Sequence, residues 1–155
     1  MADSRIKGIT IELDGETTGL QKALSNVTKQ SMDIQKELKD VDRLLKFDPS
    51  NVEAMAQKQK LLAAQVEVTS NKLNQLKAAE RQVNEQFENG DIGEAQFRAF
   101  RREIEYTEGS LNKLKQSLSK VDDVASLKEI KIDLSKIKNI MRFFIKKLLL
   151  KLIEY

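Results

Sequence analysis

Apolar residues recur along most of this chain at alternating steps of four and three positions, a spacing that places them on one side of an α-helix. A mean spacing of about 3.5 residues keeps such a stripe facing a partner helix when two helices coil around each other. We call these positions the heptad positions; they are Leu20, Leu24, Val27, Ser31, Ile34, Leu38, Val41, Leu45, Val52, Met55, Gln59, Leu62, Val66, Thr69, Leu73, Leu76, Glu80, Val83, Phe87, Phe97, Phe100, Ile104, Thr107, Leu111, Leu114, Leu118 and Val121. The pattern predicts an all-α fold of long antiparallel coiled-coil helices.

Two short segments interrupt the pattern and predict where the chain turns. In the segment FDPSN, Pro49 cannot continue a helix, and Asp48 or Ser50 is suited to capping the next one. The segment ENGDIG has the composition of a turn, and Asp91 and Glu94 have the spacing of a capping box. We therefore expect three helices, at about residues 18–47, 50–88 and 92–125.

The apolar heptad positions are interpreted as surfaces for helix association, within one chain or between chains. The residues assigned to partner binding are Leu20, Leu24, Val27, Ile34, Leu38, Val41, Leu45, Leu62, Val66, Leu73, Leu76, Phe97, Phe100, Ile104, Leu111, Leu114 and Leu118. A globular three-helix core lined by the same stripes is the alternative. Gln59 and Glu80 interrupt the second series; such polar residues either fix the alignment and number of helices or mark frayed stretches.

The residues before the first helix alternate in the manner of a β-strand. Residues 6–13 place three apolar side chains on one face, and Asp14 and Gly15 end the strand. The four residues from Thr18 to Gln21 then have the capping-box spacing that starts a helix. Because a lone strand leaves backbone groups unpaired, we expect this one to pair with another strand. The side chains assigned to strand pairing are Ile9, Ile11 and Leu13.

Residues 126–155 form a basic hydrophobic tail that is predicted to be helical. Its apolar residues occupy several faces, and charged residues leave no uncharged run long enough to cross a bilayer. A contact with an anionic membrane would use Arg142, Lys146, Lys147 and Lys151. The alternatives are a fourth packed helix, an unselected extension read out of frame, and a strand at residues 129–134 that pairs with residues 6–13.

Composition argues against chemistry at a site. The chain has no His and no Cys, which removes the usual general base, the thiol nucleophile and most ligands of zinc, iron or copper. We expect no enzyme activity and assign no catalytic, cofactor-binding or metal-binding residue. The net charge of +3 comes from residues 127–155, because residues 1–126 carry slightly more acidic than basic side chains. We therefore expect no nucleic-acid partner.

Four sequence strings are more specific than the pattern. They are GITIELDGETTGLQKAL at residues 8–24, LLKFDPSN at 44–51, QKQKLL at 57–62 and FRREIEYTEGSLNKL at 100–114. Together and in this order they resemble the amino-terminal region of tail tape measure proteins from phages and prophages of Gram-positive bacteria. The resemblance covers roughly residues 6–122.

This resemblance implies a structural role in virion assembly. Tape measure proteins are extended helical scaffolds inside the phage tail whose length sets the length of the tail. They associate with one another and with tail tube, tail chaperone and tail tip proteins. Residues 1–10 lack the apolar run of a signal peptide, so we expect synthesis and residence in the bacterial cytoplasm during assembly. The resemblance further implies a place in the lumen of the virion tail.

The resemblance ends near Asp123, and full-length members of the family are several times longer than this chain. The sequence thus predicts a truncated tape measure protein, either a prophage remnant or a functional short form. The alternatives are a generic coiled-coil adaptor and a small membrane-active protein that uses the basic hydrophobic tail.

Overall fold

A computed structural model describes residues 6–153 of the chain. The elements, in chain order, are β1 (Thr10–Leu13), β2 (Glu16–Gly19), α1 (Leu20–Ala23), α2 (Ser25–Phe47), α3 (Val52–Glu88) and α4 (Glu94–Ile153). The predominance of helix confirms the predicted all-α class. The chain forms two compact units, unit 1 at residues 1–118 and unit 2 at residues 119–155.

β1 and β2 pair as an antiparallel hairpin, so the expectation of a single strand before the helices missed the second strand. Their register places Ile11 opposite Thr18. Asp14 and Gly15 make the turn with backbone φ angles of 51° and 81°. Both are in the left-handed region, as a type I′ hairpin turn requires. β2 was missed because its sequence, ETTG, has none of the apolar alternation that marks β1.

Two of the predicted helix starts also need correction. Thr18 belongs to β2, and α1 follows Gly19, which makes no side-chain capping bond. The capping box predicted for this position is therefore wrong. At the start of α4, the side-chain oxygen of Gln96 accepts a hydrogen bond from the Gly93 N–H at 2.9 Å. This bond lies two residues beyond the capping box that was predicted to begin at Asp91.

The turn between α2 and α3 follows from its sequence. Asp48 accepts hydrogen bonds from the backbone N–H and the hydroxyl of Ser50, at 3.2 and 2.8 Å, and so closes a tight turn around Pro49. The cap of α3 is Asn51, whose side-chain oxygen accepts a hydrogen bond from the Ala54 N–H at 2.9 Å. The predicted capping residues therefore shape the turn, and the next residue caps the helix.

In unit 1, α3 packs antiparallel to α2 along its first half and to the start of α4 along its second half. Lys58 of α3 pairs with Asp42 of α2 at 2.7 Å. At the opposite end of α3, the rings of Phe87 and Phe97 stack with their centroids 4.3 Å apart. The 37 residues of α3 correspond to about 55 Å of helix.

The main core of unit 1 lies where the hairpin and α1 cover the second half of α3 and the start of α4. Its members are Ile6, Ile9, Ile11, Leu20, Leu24, Leu73, Leu76, Ala79, Val83, Ile92, Phe100, Ile104 and Leu111. Within the described part of the chain, no side chain of α2 belongs to this core. The buried side chains of α2 are Val27 and Val41. The hairpin therefore fills, at this end of α3, the place that α2 fills at the other.

The basic hydrophobic tail of the chain is helical, as α4 continues through it to Ile153. Residues 129–134 are part of this helix, so the alternative of a strand at that place is wrong. The physical reason is that α4 contains no Pro, and its one Gly, Gly109, lies far from this segment. The alternation of apolar and charged residues there is too short to override the surrounding helix.

Candidate interaction surfaces

Most heptad positions of unit 1 are withdrawn from solvent within the chain. The buried ones are Leu20, Leu24, Val27, Val41, Leu62, Thr69, Leu73, Leu76, Val83, Phe100, Ile104, Thr107 and Leu111. The half-buried ones are Ser31, Ile34, Leu38, Leu45, Met55, Gln59, Val66, Glu80, Phe97, Leu114 and Leu118. Val52 and Phe87, at the two ends of α3, are exposed. The assigned residues thus pack inside one chain, and partner binding by them stays a prediction.

The residues assigned to strand pairing separate into two groups. Ile9 and Ile11 are buried in the main core, where they cover α3 and α4. Leu13, predicted on the same face, is 48% exposed. It adjoins the hairpin turn and lines a small pocket together with Ala78 and Gln82 of α3. The turn therefore carries Leu13 past the edge of the core.

Both edges of β1 are paired within the chain. One edge pairs with β2, and the other meets two glutamine side chains of α3. The amide of Gln82 accepts from the Glu12 N–H at 2.6 Å and donates to the Glu12 carbonyl at 3.2 Å. The Gln86 amide donates to the Thr10 carbonyl at 2.6 Å. These side chains take the place of a neighbouring strand, so the expected pairing partner of β1 lies inside the chain.

Of the two polar heptad residues singled out in the second predicted helix, Gln59 and Glu80, the latter is held by an ion pair. Glu80 is half-buried and accepts a hydrogen bond from Arg101 of α4 at 2.7 Å. Gln59 is half-buried as well, in the stretch of α3 that faces α2. Glu80 therefore contributes to the pairing of α3 with α4, which fits an aligning role better than a frayed stretch.

A layer of polar side chains lies in the middle of unit 1, where α2, α3 and α4 meet. The Lys72 ammonium is 2.6 Å from a carboxylate oxygen of Glu103. Beside this pair, the Gln65 amide donates to the hydroxyl of Ser31 on α2 at 2.6 Å. The Thr107 hydroxyl donates to the Glu103 carbonyl at 2.7 Å. We call these five residues the polar layer.

The polar layer borders a cavity of about 490 Å³. Gln65 is 3% exposed, yet its side-chain oxygen has no hydrogen-bond partner within the described part of the chain, and the same holds for the hydroxyl of Thr28. Sequence reasoning missed Gln65 and Glu103 because they precede apolar heptad positions. The available signal was their spacing of four from Thr69 and Thr107, which puts each pair on one helix face.

Unit 2 presents a helix whose apolar side chains are exposed. They include Leu127, Leu134, Ile137, Ile140, Met141, Phe143, Phe144, Ile145, Leu148, Leu149 and Leu150, each more than half accessible to solvent. The basic residues predicted to contact a membrane, Arg142, Lys146, Lys147 and Lys151, are exposed on the same helix. Within residues 6–153, none of the helices contains an apolar stretch that would span a bilayer. These residues also contain no group of three or more acidic side chains placed to hold a metal ion.

The chain is similar to a probable tape measure protein of Lactococcus phage SK1, with 27% identity over 116 residues. The matched region covers 75% of this chain, which spans only 11% of that protein's length. No protein-family model matches the chain, and no solved structure matches it.

Proposed function

We propose that this chain is a phage structural protein and acts as the amino-terminal part of a tail tape measure protein. The observation that carries the proposal is the similarity to a probable tape measure protein over three quarters of the chain. The helical fold supports it, since a scaffold that measures length needs elements whose length is proportional to residue number. An α-helix meets that need with about 1.5 Å of rise per residue.

In this role, unit 1 is a folded block that anchors copies of the chain to one another. Its main core is complete within one chain, so association uses side chains that the fold leaves accessible. The half-buried heptad residues Ile34 and Leu38 of α2, and Met55 of α3, lie outside the main core and form the contact surface. Tail tube, tail chaperone and tail tip proteins are the further partners, by the same resemblance.

The role in the tail is tested in the phage that carries this gene. Epitope-tagged protein should copurify with tails, and deletion of residues 6–118 should abolish tails of normal length. Insertion of about ten heptads after Leu118 should lengthen the tail by roughly 105 Å, seen by electron microscopy. The matched control is insertion of an equal number of Gly and Ser residues, which does not add the same helical rise.

A generic coiled-coil adaptor would behave differently. With an adaptor, tails would keep their length after deletion and after insertion, and the tagged protein would be absent from purified tails. Association is measured separately by light scattering across a concentration series, because a contact between chains weakens on dilution. A mass that stays at one chain at every concentration would contradict association through α2 and α3, and the variants Ile34→Ser and Leu38→Ser should reduce any larger mass.

A further inference from the structure

The helix of unit 2 combines an exposed apolar stripe with a high density of basic side chains. On one side lie Ile137, Met141, Phe144 and Leu148, which recur at steps of three and four, and each is more than half exposed. An exposed apolar stripe of this kind indicates a contact surface for another molecule.

The charge of the same segment indicates what that molecule is. From Leu134 to Lys151 the sequence has no Asp or Glu, and its basic residues are Lys136, Lys138, Arg142, Lys146, Lys147 and Lys151. At about 100° per residue, Lys136, Arg142 and Lys146 fall away from the apolar stripe, while Lys138, Lys147 and Lys151 flank it. Flanking lysines of this kind extend their ammonium groups outward while their methylene chains cover apolar surface.

This distribution disfavours a second copy of the same helix as the partner. Two copies packed along the stripe would bring like charges together, with no acidic residue in the segment to compensate them. A nucleic acid would match the charge and leave the apolar stripe in water. An anionic lipid surface satisfies both properties, since headgroups contact the cations and acyl chains cover the stripe.

We propose that residues 134–151 bind the surface of an anionic lipid bilayer. Arg142, Lys146 and Lys147 interrupt the apolar run, so the helix lies along the interface with its stripe toward the acyl chains. Phe143 and Leu150 fall on the basic side and limit the contrast between the two sides. This binding is independent of any role in the phage tail, because it uses none of the residues of unit 1.

The proposal is tested with the full chain and vesicles of phosphatidylglycerol and phosphatidylcholine, compared with vesicles of phosphatidylcholine alone. We expect cosedimentation to be about tenfold stronger with the anionic vesicles and to weaken as salt rises. The double variant Phe144→Ser and Leu148→Ser should lose binding. Its matched control is Leu44→Ser and Phe47→Ser, which removes exposed apolar side chains from the end of α2 in unit 1 and should leave binding unchanged.

The charge is tested in the same way. Replacement of Arg142, Lys146 and Lys147 by Gln should abolish the preference for anionic vesicles. The matched control replaces the exposed Lys29, Lys39 and Lys46 of α2 by Gln and should retain it. Equal binding to both kinds of vesicle, or equal losses in the two charge variants, would overturn the proposal.

Orientation gives a further readout, because the chain contains no Cys and a single introduced one is labelled uniquely. An environment-sensitive dye at Met141→Cys should report an apolar surrounding on vesicle addition, and the same dye at Asn139→Cys should stay in water, since these positions face opposite sides. Similar dye signals at both positions would contradict the proposed orientation. If the chain binds no vesicles but forms oligomers without lipid, and these oligomers require residues 134–151, the apolar stripe would be assigned to contact with a second copy of the chain instead.

Discussion

The ammonium of Lys72 on α3 lies 2.6 Å from the carboxylate of Glu103 on α4, and the two side chains are only 19% and 8% exposed. A second ion pair between the same helices, Lys77 with Glu108, has the same distance but side chains that are 51% and 44% exposed. Because the distance is the same and the exposure of the side chains differs, the two pairs separate the effect of burial from that of distance.

We expect Glu103→Gln to lower the free energy of unfolding by about 2 kcal/mol, because it leaves the Lys72 charge poorly solvated and unpaired. Glu108→Gln should change it by less than about 1 kcal/mol, since water solvates the Lys77 ammonium. Urea unfolding followed by circular dichroism measures both. The double variant Lys72→Met and Glu103→Leu should be more stable than Glu103→Gln alone; equal losses for the two Gln variants would show that burial is irrelevant here.

Gln82→Ala should weaken the packing of β1 against α3. The variant loses both hydrogen bonds to the Glu12 backbone, and we expect a loss of about 1 kcal/mol, seen as roughly fivefold faster hydrogen exchange at the Glu12 amide. Gln57→Ala is the control, because Gln57 is exposed on α3 near its other end. Unchanged exchange at Glu12 in the Gln82 variant would mean that the hairpin needs no support from α3.

The same substitution should have opposite effects at two glycines. Gly15 has a φ of 81°, so Gly15→Ala should lower stability by about 1 kcal/mol through backbone strain. Gly109 lies inside α4, where an added Cβ would meet no atom within 4 Å, so Gly109→Ala should raise stability by about 1 kcal/mol. Thermal unfolding measures both, and a shift of the same sign at the two sites would contradict the assigned backbone conformations.

The double variant Gln65→Met and Ser31→Ala should raise stability by about 1 kcal/mol, because it removes a buried amide oxygen without a partner together with both partners of the Gln65–Ser31 hydrogen bond, and Met keeps the side-chain volume. Gln35→Met is the control, since Gln35 is exposed on α2 and should tolerate the change within about 0.5 kcal/mol. Chemical unfolding gives both values. A loss of stability in the double variant would show that the Gln65 amide oxygen is hydrogen-bonded in solution.

The sequence allowed the helical parts of unit 1 to be predicted, because heptad spacing and helix breakers are local signals. Pro49 and the ENGDIG segment lie between helices, as expected. The hairpin turn could also have been predicted, because Asp14-Gly15 is a typical type I′ turn. Its second strand could not be recognised from apolar alternation, since it carries none. The contacts of Gln82 with Glu12 could not be predicted from the sequence, since they join residues 70 positions apart and follow from packing. The polar layer could be predicted in part. The i, i+4 spacing of its residues is a local signal, whereas the partners in its ion pair and in its side-chain-to-side-chain hydrogen bond lie on different helices.

The position of α2 outside the main core has a consequence for the order in which this molecule comes apart. Leu24 is fixed in that core, but from Ser25 to Phe47 the helix lies against α3 with Val27 and Val41 as its buried side chains. Under a pulling force or at low denaturant, α2 should therefore detach from α3 before the hairpin, α1 and α4 release their shared core. Unit 1 would then unfold in two steps. A chain under tension could lengthen through the detachment of α2 while the main core stays folded.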